Sequence, residues 1–391
     1  MTGLYFHIPF CARKCPYCDF YSVPFHKETV SRYVGAILRN ITAHPITDKI
    51  DTVYFGGGTP SLLSPAQIGE ILDACTGAYT LAEDTEITLE FNPTGRRDDY
   101  LKALRSAGVN RLSIGTQSFS DAQLRLLGRT HSAQDGLHAV EAAQTAGFVN
   151  ISCDLMLATP EQSEEVLAQT LDVLAALPIT HVSAYMLQIE EGTPLSQDTA
   201  LLSRCPDDDA TADRYLQAVH ALAAAGFRQY EVSSFAKPGF KSRHNLKYWR
   251  CEPYLGIGAG AHSCCGESPL TGASQCAANG AKVGGEPPLA GAAQCAAGIT
   301  RFCVPKDVQA FLDADRQPEE LLDAHPLERE ERLMLALRLT DGVPASALSD
   351  AARKQIPALL HAGYLRLNGA GIALTPKGFA VSNAVIAALI V

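Results

Sequence analysis

Apolar residues recur along the first half of the chain in a rhythm that alternates short strands with longer helices. Residues 27–41 carry apolar side chains at helical spacing, and the strand-like run 51–55 follows them. With the apolar segment 4–8 as a first strand, the alternation predicts further strands at 85–92, 110–115, 149–155 and 180–187 and helices at 65–78, 97–107, 120–127, 133–146 and 162–176. Strand–helix units repeated in this way predict a parallel sheet with right-handed crossovers, and an open six-unit (β/α) barrel fits them.

Three of these strands carry polar side chains along one face and apolar side chains along the other. The polar positions are Glu86, Thr88, Glu90 and Asn92, then Arg111, Ser113 and Gln117, then Ser152 and Asp154. A parallel strand that is buried on both faces is normally apolar throughout. The polar faces therefore indicate a ligand in the barrel mouth, where such folds place their sites, and a solvated face is the alternative for any single strand.

A cysteine-rich loop follows the first strand directly. Cys11, Cys15 and Cys18 form a C-x3-C-x2-C run, and three thiolates on one short loop can converge on a single soft metal centre. A [4Fe-4S] cluster held by three cysteines keeps one iron free for another ligand. The alternative is a structural zinc site completed by His7, Asp19 or His26, although no second ligand pair stands at zinc spacing downstream.

Composition limits the function classes. The 391 residues are 47% hydrophobic with mean hydropathy near zero, which is typical of a large globular domain with a smaller one. A transmembrane segment and a signal peptide are not expected, so we predict a cytoplasmic protein. The formal charge of −10 argues against an extended nucleic-acid surface.

The second half of the chain predicts an extension of the barrel, an insertion and a separate tail. Residues 266–278 recur as 285–297, rich in Gly, Ala and Pro, which indicates a duplicated low-complexity insertion. The tail has the helix–hairpin–helix order of a winged-helix domain. The predicted divisions are 1–190 for the barrel, 191–263 for its extension, 264–303 for the insertion and 304–391 for the C-terminal domain.

The cysteine loop and its flanks also carry a family resemblance. The run Y-x-H-I-P-F-C-x3-C-x-Y-C, from Tyr5 to Cys18, resembles the signature of the radical S-adenosylmethionine (SAM) proteins, in the branch that contains oxygen-independent coproporphyrinogen III oxidase. Within that branch it is most similar to the HemW-type haem chaperones. The resemblance implies an α/β fold, a partial (β/α)6 radical SAM barrel with a C-terminal winged-helix-like α+β domain, and it covers the chain outside residues 264–303.

The resemblance also implies a cofactor set and its residues. Cys11, Cys15 and Cys18 would hold a [4Fe-4S] cluster, and SAM would bind in the barrel mouth. The residues implied for the cofactors are Tyr5, Phe20, Gly57, Gly58, Thr59, Glu90, Gln117, Arg129 and Asp154. The segment Leu157–Gln162 departs from the family's G-L-P-G-Q, which puts the shape of that loop in question.

The resemblance also implies that residues 244–249, which have the pattern H-N-x-x-Y-W, contact haem. His244 could ligate iron, and Tyr248 and Trp249 could stack on a flat porphyrin. The alternative is a histidine that is hydrogen-bonded in a packed loop. His7, His262 or a cysteine of the insertion could serve as the axial ligand instead.

Two functions of different class follow from this scaffold. One is a haem carrier that delivers haem to acceptor haemoproteins, such as membrane-bound respiratory enzymes, and is compatible with a homodimer. The other is an oxidase that decarboxylates coproporphyrinogen III through a 5′-deoxyadenosyl radical. The oxidases carry a fourth cysteine where this chain has Phe20, and an N-terminal extension where only ten residues precede Cys11. Both differences favour a chaperone without oxidase activity.

Overall fold

A twelve-stranded sheet organises the computed structural model, which describes residues 1–95, 97–265, 300–323 and 329–390. Strands β1 and β4 to β8 run parallel and carry the barrel, as the alternation predicts. The strands are β1 (Thr2–Ile8), β2 (Phe10–Cys11), β3 (Val23–Pro24), β4 (Ile50–Gly57), β5 (Leu81–Phe91), β6 (Arg111–Gln117), β7 (Asn150–Leu157), β8 (His181–Met186), β9 (Arg228–Gln229), β10 (Ser234–Ala236), β11 (Tyr254–Ile257), β12 (His262–Cys265), β13 (Thr300–Cys303), β14 (Glu320–Asp323), β15 (Val343–Pro344), β16 (Leu365–Asn368) and β17 (Gly371–Leu374).

Six helices of the first half alternate with the barrel strands at the predicted places, and nine more follow among the described residues. They are α1 (Lys27–Ala43), α2 (Pro65–Ala78), α3 (Asp98–Ser106), α4 (Asp121–Leu126), α5 (Ala133–Thr145), α6 (Glu164–Ala176), α7 (Pro194–Gln197), α8 (Thr199–Leu202), α9 (Asp208–Ala224), α10 (Arg243–Arg250), α11 (Val308–Asp313), α12 (Arg329–Ala336), α13 (Asp350–His361), α14 (Pro376–Ala380) and α15 (Ser382–Leu389). Capping boxes at Ser64 and Ser132 fix the starts of α2 and α5.

The order of strands in the sheet is β14-β13-β12-β11-β1-β4-β5-β6-β7-β8-β10-β9. The β11 strand runs parallel to β1, whereas β12 to β14 continue antiparallel on one side and β10 and β9 on the other. Leu4, Phe6, Val53 and Leu89 on the outward faces are fully buried in the core. The predicted six-unit (β/α) barrel is therefore confirmed, with edges that the pattern of hydrophobic residues did not reveal.

Helix α10 fills the barrel interior at the level where the strands begin. The carboxylate of Glu86 accepts hydrogen bonds from the backbone amides of Arg243 and His244, at 3.2 and 3.1 Å. The ammonium of Lys247, almost wholly buried, lies 2.8 Å from the Asp51 carboxylate. Because a buried charge must be paired, these contacts hold α10 in place. The helix closes this end of the barrel, and we call it the floor.

The C-terminal domain has the predicted helix–hairpin–helix order. Helix α13 precedes the β16–β17 hairpin, β15 adds a third strand, and α14 and α15 close the chain. The domain joins the barrel extension through the chain that leaves α12, where the amide of Thr340 donates to the carbonyl of Tyr230 at 3.0 Å.

The predicted insertion needs a correction at both ends. Cys264 and Cys265 lie in β12 and 300–303 form β13, and these strands pair antiparallel within the main sheet. Strands of only four residues leave too short a pattern to be recognised beside a repeat. The remainder of the insertion, 266–299, lies outside the described residues, and the predicted domain boundaries stay a prediction.

The loop after β7 keeps a glycine-like conformation without glycines. Ala158 and Glu161 stand where the family has its two glycines, and their φ angles are 57° and 58°. The side chain of Gln162 holds the turn, because it accepts from the amide of Ala158 at 2.7 Å and donates to the carbonyl of Met156 at 3.0 Å. The loop shape is thus retained at a cost in backbone strain.

We expect this strain to be measurable at Glu161, whose side chain is exposed. Glu161→Gly and Glu161→Ala both remove the surface ion pair with Arg204, so their difference reports the backbone alone. The Gly variant should have a free energy of unfolding about 1 kcal/mol larger than the Ala variant, measured by urea denaturation. Equal stability of the two variants would show that the left-handed conformation costs nothing here.

Candidate functional site

The cysteine loop lies against the carboxyl ends of the barrel strands. The hydroxyl of Thr59 is 3.5 Å from Cys11 Sγ, and Arg129 Nη1 donates to Cys15 Sγ at 3.5 Å. Gly128 has a positive φ of 66°, and a Cβ there would lie 2.6 Å from Pro16. The loop therefore docks closely on the Gly128–Arg129 turn, and a side chain at Gly128 would push it away.

The three thiols fit a soft metal centre by their chemistry. Cys11, Cys15 and Cys18 are half-buried and free, and burial raises the pKa of Cys18, with the other two thiols adding to the shift. Across the described ranges, no group of His, Cys, Asp or Glu side chains is gathered as a preformed metal site. The assignment of a cluster to these cysteines therefore stays a prediction.

The zinc alternative loses one of its proposed ligands. Both ring nitrogens of His7 have protein partners, the Tyr5 hydroxyl at 3.1 Å and the Tyr21 carbonyl at 3.2 Å. The ring is also almost fully buried, and burial lowers its pKa to about 4. His7 is held as part of the barrel wall, so it is not available to complete a site with the three thiols.

The glycine segment after β4 brings backbone close to the first strand. Gly57 has φ 112°, and a Cβ there would meet the His7 ring at 2.7 Å. Its amide donates to Glu90 Oε2 at 3.2 Å, while the Tyr54 hydroxyl donates to Glu90 Oε1 at 3.0 Å. Gly58 lies equally close to the backbone of Phe10. These contacts place the predicted segment and Glu90 side by side at the mouth.

Two carboxyl groups face the barrel interior. Burial raises the pKa of Glu90 to about 8, and the neighbouring Asp154 adds to the shift. Burial likewise raises the pKa of Asp154 to about 6, against a hydrogen bond from Ser113 at 3.0 Å. Buried carboxyls with raised pKa values are typical of sites that receive a cation.

Arg129 connects the strands to the cysteine loop. Its Nη2 donates to Asn92 Oδ1 at 2.6 Å and to the carbonyl of Gly115 at 3.0 Å, while Nη1 reaches Cys15. Gln117, at the end of β6, has φ 60°, a conformation that non-glycine residues rarely adopt outside functional sites. The structure thus brings Glu90, Gln117 and Asp154, on β5, β6 and β7, to the mouth together with Arg129 from the turn after α4.

Arg111, named above only as a polar position of its strand and not as a cofactor residue, lies deeper in the barrel. The residue is 1% exposed, and its Nε and Nη1 have no hydrogen-bond partner among the described residues. The nearby Thr88 hydroxyl is in the same state. Unsatisfied buried donors indicate that water or a polar ligand belongs in this interior. The polar face of β6 was the only available signal.

The structure separates the three residues of the H-N-x-x-Y-W segment. His244 is fully buried, with Nδ1 2.8 Å from the Thr52 hydroxyl and Nε2 2.8 Å from the Tyr248 hydroxyl. Trp249 points elsewhere and packs against the cluster of Tyr230 and Leu339. They lie on a helix, where positions 244 and 248 share a face but 249 does not. As placed, His244 has no free nitrogen for iron, so the structure does not support it as an axial ligand.

A cavity of about 330 Å³ opens between the cysteine loop, β1 and the strands that follow α10. Its volume is within the range of small-molecule sites. Phe20 on its rim is 64% exposed. The lining residues are Tyr5, His7, Asp19, Phe20, Tyr21, Tyr248, Tyr254, Gly260, His262 and Lys306. Of the three predicted haem contacts, only Tyr248 lines it; Tyr254 and Lys306 carried no sequence signal.

Comparisons with known proteins agree with this fold. The family model of the Radical SAM superfamily matches residues 5–174, and that of the HemN C-terminal domain matches residues 327–381. Coproporphyrinogen III oxidase (HemN) from Escherichia coli, described as a radical SAM enzyme, superimposes with a TM-score of 0.75 over 99% of this chain and 89% of that one, at 20% identity. At that identity the likeness establishes the fold alone.

Curated relatives match more closely in sequence. The chain is 34% identical over 401 residues to the heme chaperone HemW of Mycobacterium tuberculosis strain H37Rv, covering 99% of this chain and 94% of that protein. It is 42% identical over 265 residues to the heme chaperone HemW of Escherichia coli, covering 66% and 69%. It is 43% identical to the mouse mitochondrial radical S-adenosyl methionine domain-containing protein 1, of which the match covers only 60%.

Arg129 and Arg125 form a matched pair for testing the SAM site. Arg125 is an exposed arginine on α4, close in sequence to Arg129. If Arg129 makes a charge-assisted bond to the SAM carboxylate, Arg129→Ala should weaken SAM binding by about 1.5–3 kcal/mol in calorimetry on cluster-loaded protein. Arg125→Ala should bind as the wild type does. Unchanged affinity in Arg129→Ala at equal iron content would reject the assignment.

Proposed function

Because this chain belongs to the heme chaperone HemW family of radical SAM proteins, we propose that it binds haem at the barrel mouth and delivers it to acceptor haemoproteins. The observation that carries the proposal is the 34% identity to a heme chaperone along 99% of the chain. The aromatic-lined cavity beside the cysteine loop supports it, because flat macrocycles bind well between aromatic side chains.

Cys11, Cys15 and Cys18 are the proposed ligands of a [4Fe-4S] cluster. When bound, the cluster would offer an open iron and one electron to SAM. The chain positions the cysteine loop in two ways. The lack of a side chain at Gly128 lets the loop pack against the barrel, and Arg129 places a positive charge beside Cys15. A cation there favours the thiolate that a metal centre requires.

The proposed SAM site lies on the strand ends around the mouth. Gly57, Gly58 and Thr59 would approach the amino group through the backbone, and Glu90 would accept from it as the ionised form. Tyr5 would lie beside the sulfonium. Phe20, which lines the neighbouring cavity, is proposed as a further contact of this site. The remaining proposed contacts, to the carboxylate and the ribose, are Gln117, Arg129 and Asp154.

The protonation state of Glu90 links the proposed SAM site to its ligand. Its carboxyl group has a pKa near 8 because it is buried beside Asp154. An ammonium group within hydrogen-bond distance would favour the ionised carboxylate and lower that pKa. The ammonium group of the ligand would therefore take the place of the proton that Glu90 carries at pH 7 in the protein alone.

Decarboxylation of coproporphyrinogen III is the second candidate, since the fold matches HemN over nearly the whole chain. Phe20 argues against it. The oxidases have a fourth cysteine at this position, whereas here an exposed phenyl ring lines the cavity. An apolar ring suits the face of a bound macrocycle and supplies no thiol, which favours carriage over oxidation.

The partners are proposed with the function. Acceptor haemoproteins, including membrane-bound respiratory enzymes, would take the haem, and a homodimer and a cytoplasmic location fit this role. In the described part of the chain, no helix is both long and apolar enough to span a bilayer.

The function is tested on protein reconstituted anaerobically with iron and sulfide. We expect it to bind ferric haem with a defined Soret band, to transfer it to an apo-haemoprotein, and to leave coproporphyrinogen III unchanged in the presence of SAM and reductant. Absorption spectroscopy follows the haem and chromatography follows the porphyrins.

The control is the triple Cys11, Cys15 and Cys18→Ala variant, which should contain no cluster iron; Cys205→Ala, at a solitary half-buried thiol, should keep it. Formation of protoporphyrinogen by the wild type would overturn the carrier assignment in favour of the oxidase. Failure of the wild type to bind haem would remove it as well.

A further inference from the structure

Two histidines line the cavity, and they differ in what their rings touch. Both nitrogens of His7 are engaged by Tyr5 and Tyr21, and its ring is almost fully buried. His262, at the start of β12, is exposed. Among the described residues no hydrogen bond to its ring is found. It is therefore the cavity imidazole with nitrogens available to a ligand.

The surroundings of His262 keep its imidazole in the form that binds metals. Partial burial lowers the pKa of His262 below its ordinary value, and the cations Lys306 and Arg301 lower it further. The ring is consequently neutral near pH 7, with a free lone pair on one nitrogen. A neutral imidazole is the usual axial ligand of haem iron in proteins.

The rest of the cavity suits a macrocycle with acidic substituents. Tyr248 and Tyr254 meet edge to face with ring centroids 4.7 Å apart, and Phe20 stands exposed on the rim. Lys306 supplies a cation for a propionate. Asp19 is the carboxylate of the lining, so the propionates are expected on the Lys306 side of the cavity.

We propose that His262 is the axial ligand of the haem iron and that Lys306 pairs with a haem propionate. This inference rests on the proposed function, because it names the residues by which the chain would hold its haem. It moves the iron ligand from the floor of the barrel, where His244 is fully hydrogen-bonded, to the cavity beside the cysteine loop.

A second candidate ligand for the haem iron lies beside His262 on the neighbouring strand. Cys303 on β13 pairs with His262 on β12, so the two side chains share one face. The Cys303 thiol is half-buried and free. A thiolate and an imidazole give haem different optical spectra, so single variants at the two positions distinguish them.

The test titrates ferric haem into cluster-loaded wild type and into His262→Ala, Cys303→Ser and His220→Ala. His220 is an exposed histidine on α9, remote from the cavity lining, and serves as the matched control. We expect His262→Ala to shift the Soret band and to weaken haem binding about tenfold or more, the loss common on removal of a metal contact. Cluster absorbance should stay unchanged, and the other two variants should match the wild type.

Chemical rescue separates a ligand from a structural role. Added imidazole should restore the wild-type haem spectrum to His262→Gly, since it replaces only the missing ring. Lys306→Gln should weaken the binding of haem but leave the affinity for haem dimethyl ester unchanged, because the ester carries no negative propionate.

The outcomes discriminate between the two proposals. Haem binding by the wild type with an identical spectrum and affinity in His262→Ala would overturn the assignment of His262 and leave the carrier function standing. A spectral change in Cys303→Ser with none in His262→Ala would do the same and name the thiol. A wild type that binds no haem would overturn the carrier function itself.

Discussion

The structure depends on charged side chains that face the interior of an open barrel and must find partners there. At the floor, Glu86 caps α10 and Asp51 pairs with Lys247, so the interior is closed by protein. At the mouth, Glu90 and Asp154 have raised pKa values, and their hydrogen-bond donors are the neutral groups of Tyr54, the Gly57 amide and Ser113. Arg129 stands between this mouth and the cysteine loop. The mouth is therefore the end of the barrel that favours the binding of a cofactor with cationic groups.

The same arrangement places the cavity. Tyr5 and His7 on β1 belong to the barrel wall and to the cavity lining alike, and Phe20 follows the last cysteine of the loop. A molecule held there would share a wall with the proposed SAM site. This proximity gives a carrier a physical means to sense its cluster, because the loop that holds the thiols also forms the rim of the cavity. The floor helix contributes Tyr248 but keeps His244 for its own hydrogen bonds.

The sequence predicted the barrel and its mouth well because both rest on local patterns. Alternating polarity in β5 to β7 located Glu90, Gln117 and Asp154, and the cysteine spacing located the loop. The H-N-x-x-Y-W segment was misread as one contact surface because helical geometry separates Trp249 from Tyr248. The cavity was not predicted as one site, although its lining includes residues that the sequence had named separately as candidate cofactor or haem contacts, namely Tyr5, His7, Phe20, Tyr248 and His262. Three of its lining residues lie far along the chain from the cysteine loop: Tyr254 in β11, His262 in β12 and Lys306 after β13. The edge of the sheet beside β1 brings them to the loop.

The central claim is that haem and the cluster share one mouth of the barrel. Electron paramagnetic resonance of protein that carries the reduced cluster together with copper(II) protoporphyrin in place of haem tests it, because the reductant needed for the cluster would also reduce ferric haem. If the two groups share the mouth, the two paramagnets interact, so that each broadens the signal of the other and speeds its relaxation. The broadening should vanish when the cluster is removed. A spectrum equal to the sum of the copper-porphyrin-only and cluster-only proteins would place the porphyrin elsewhere on the molecule and rule out a shared mouth.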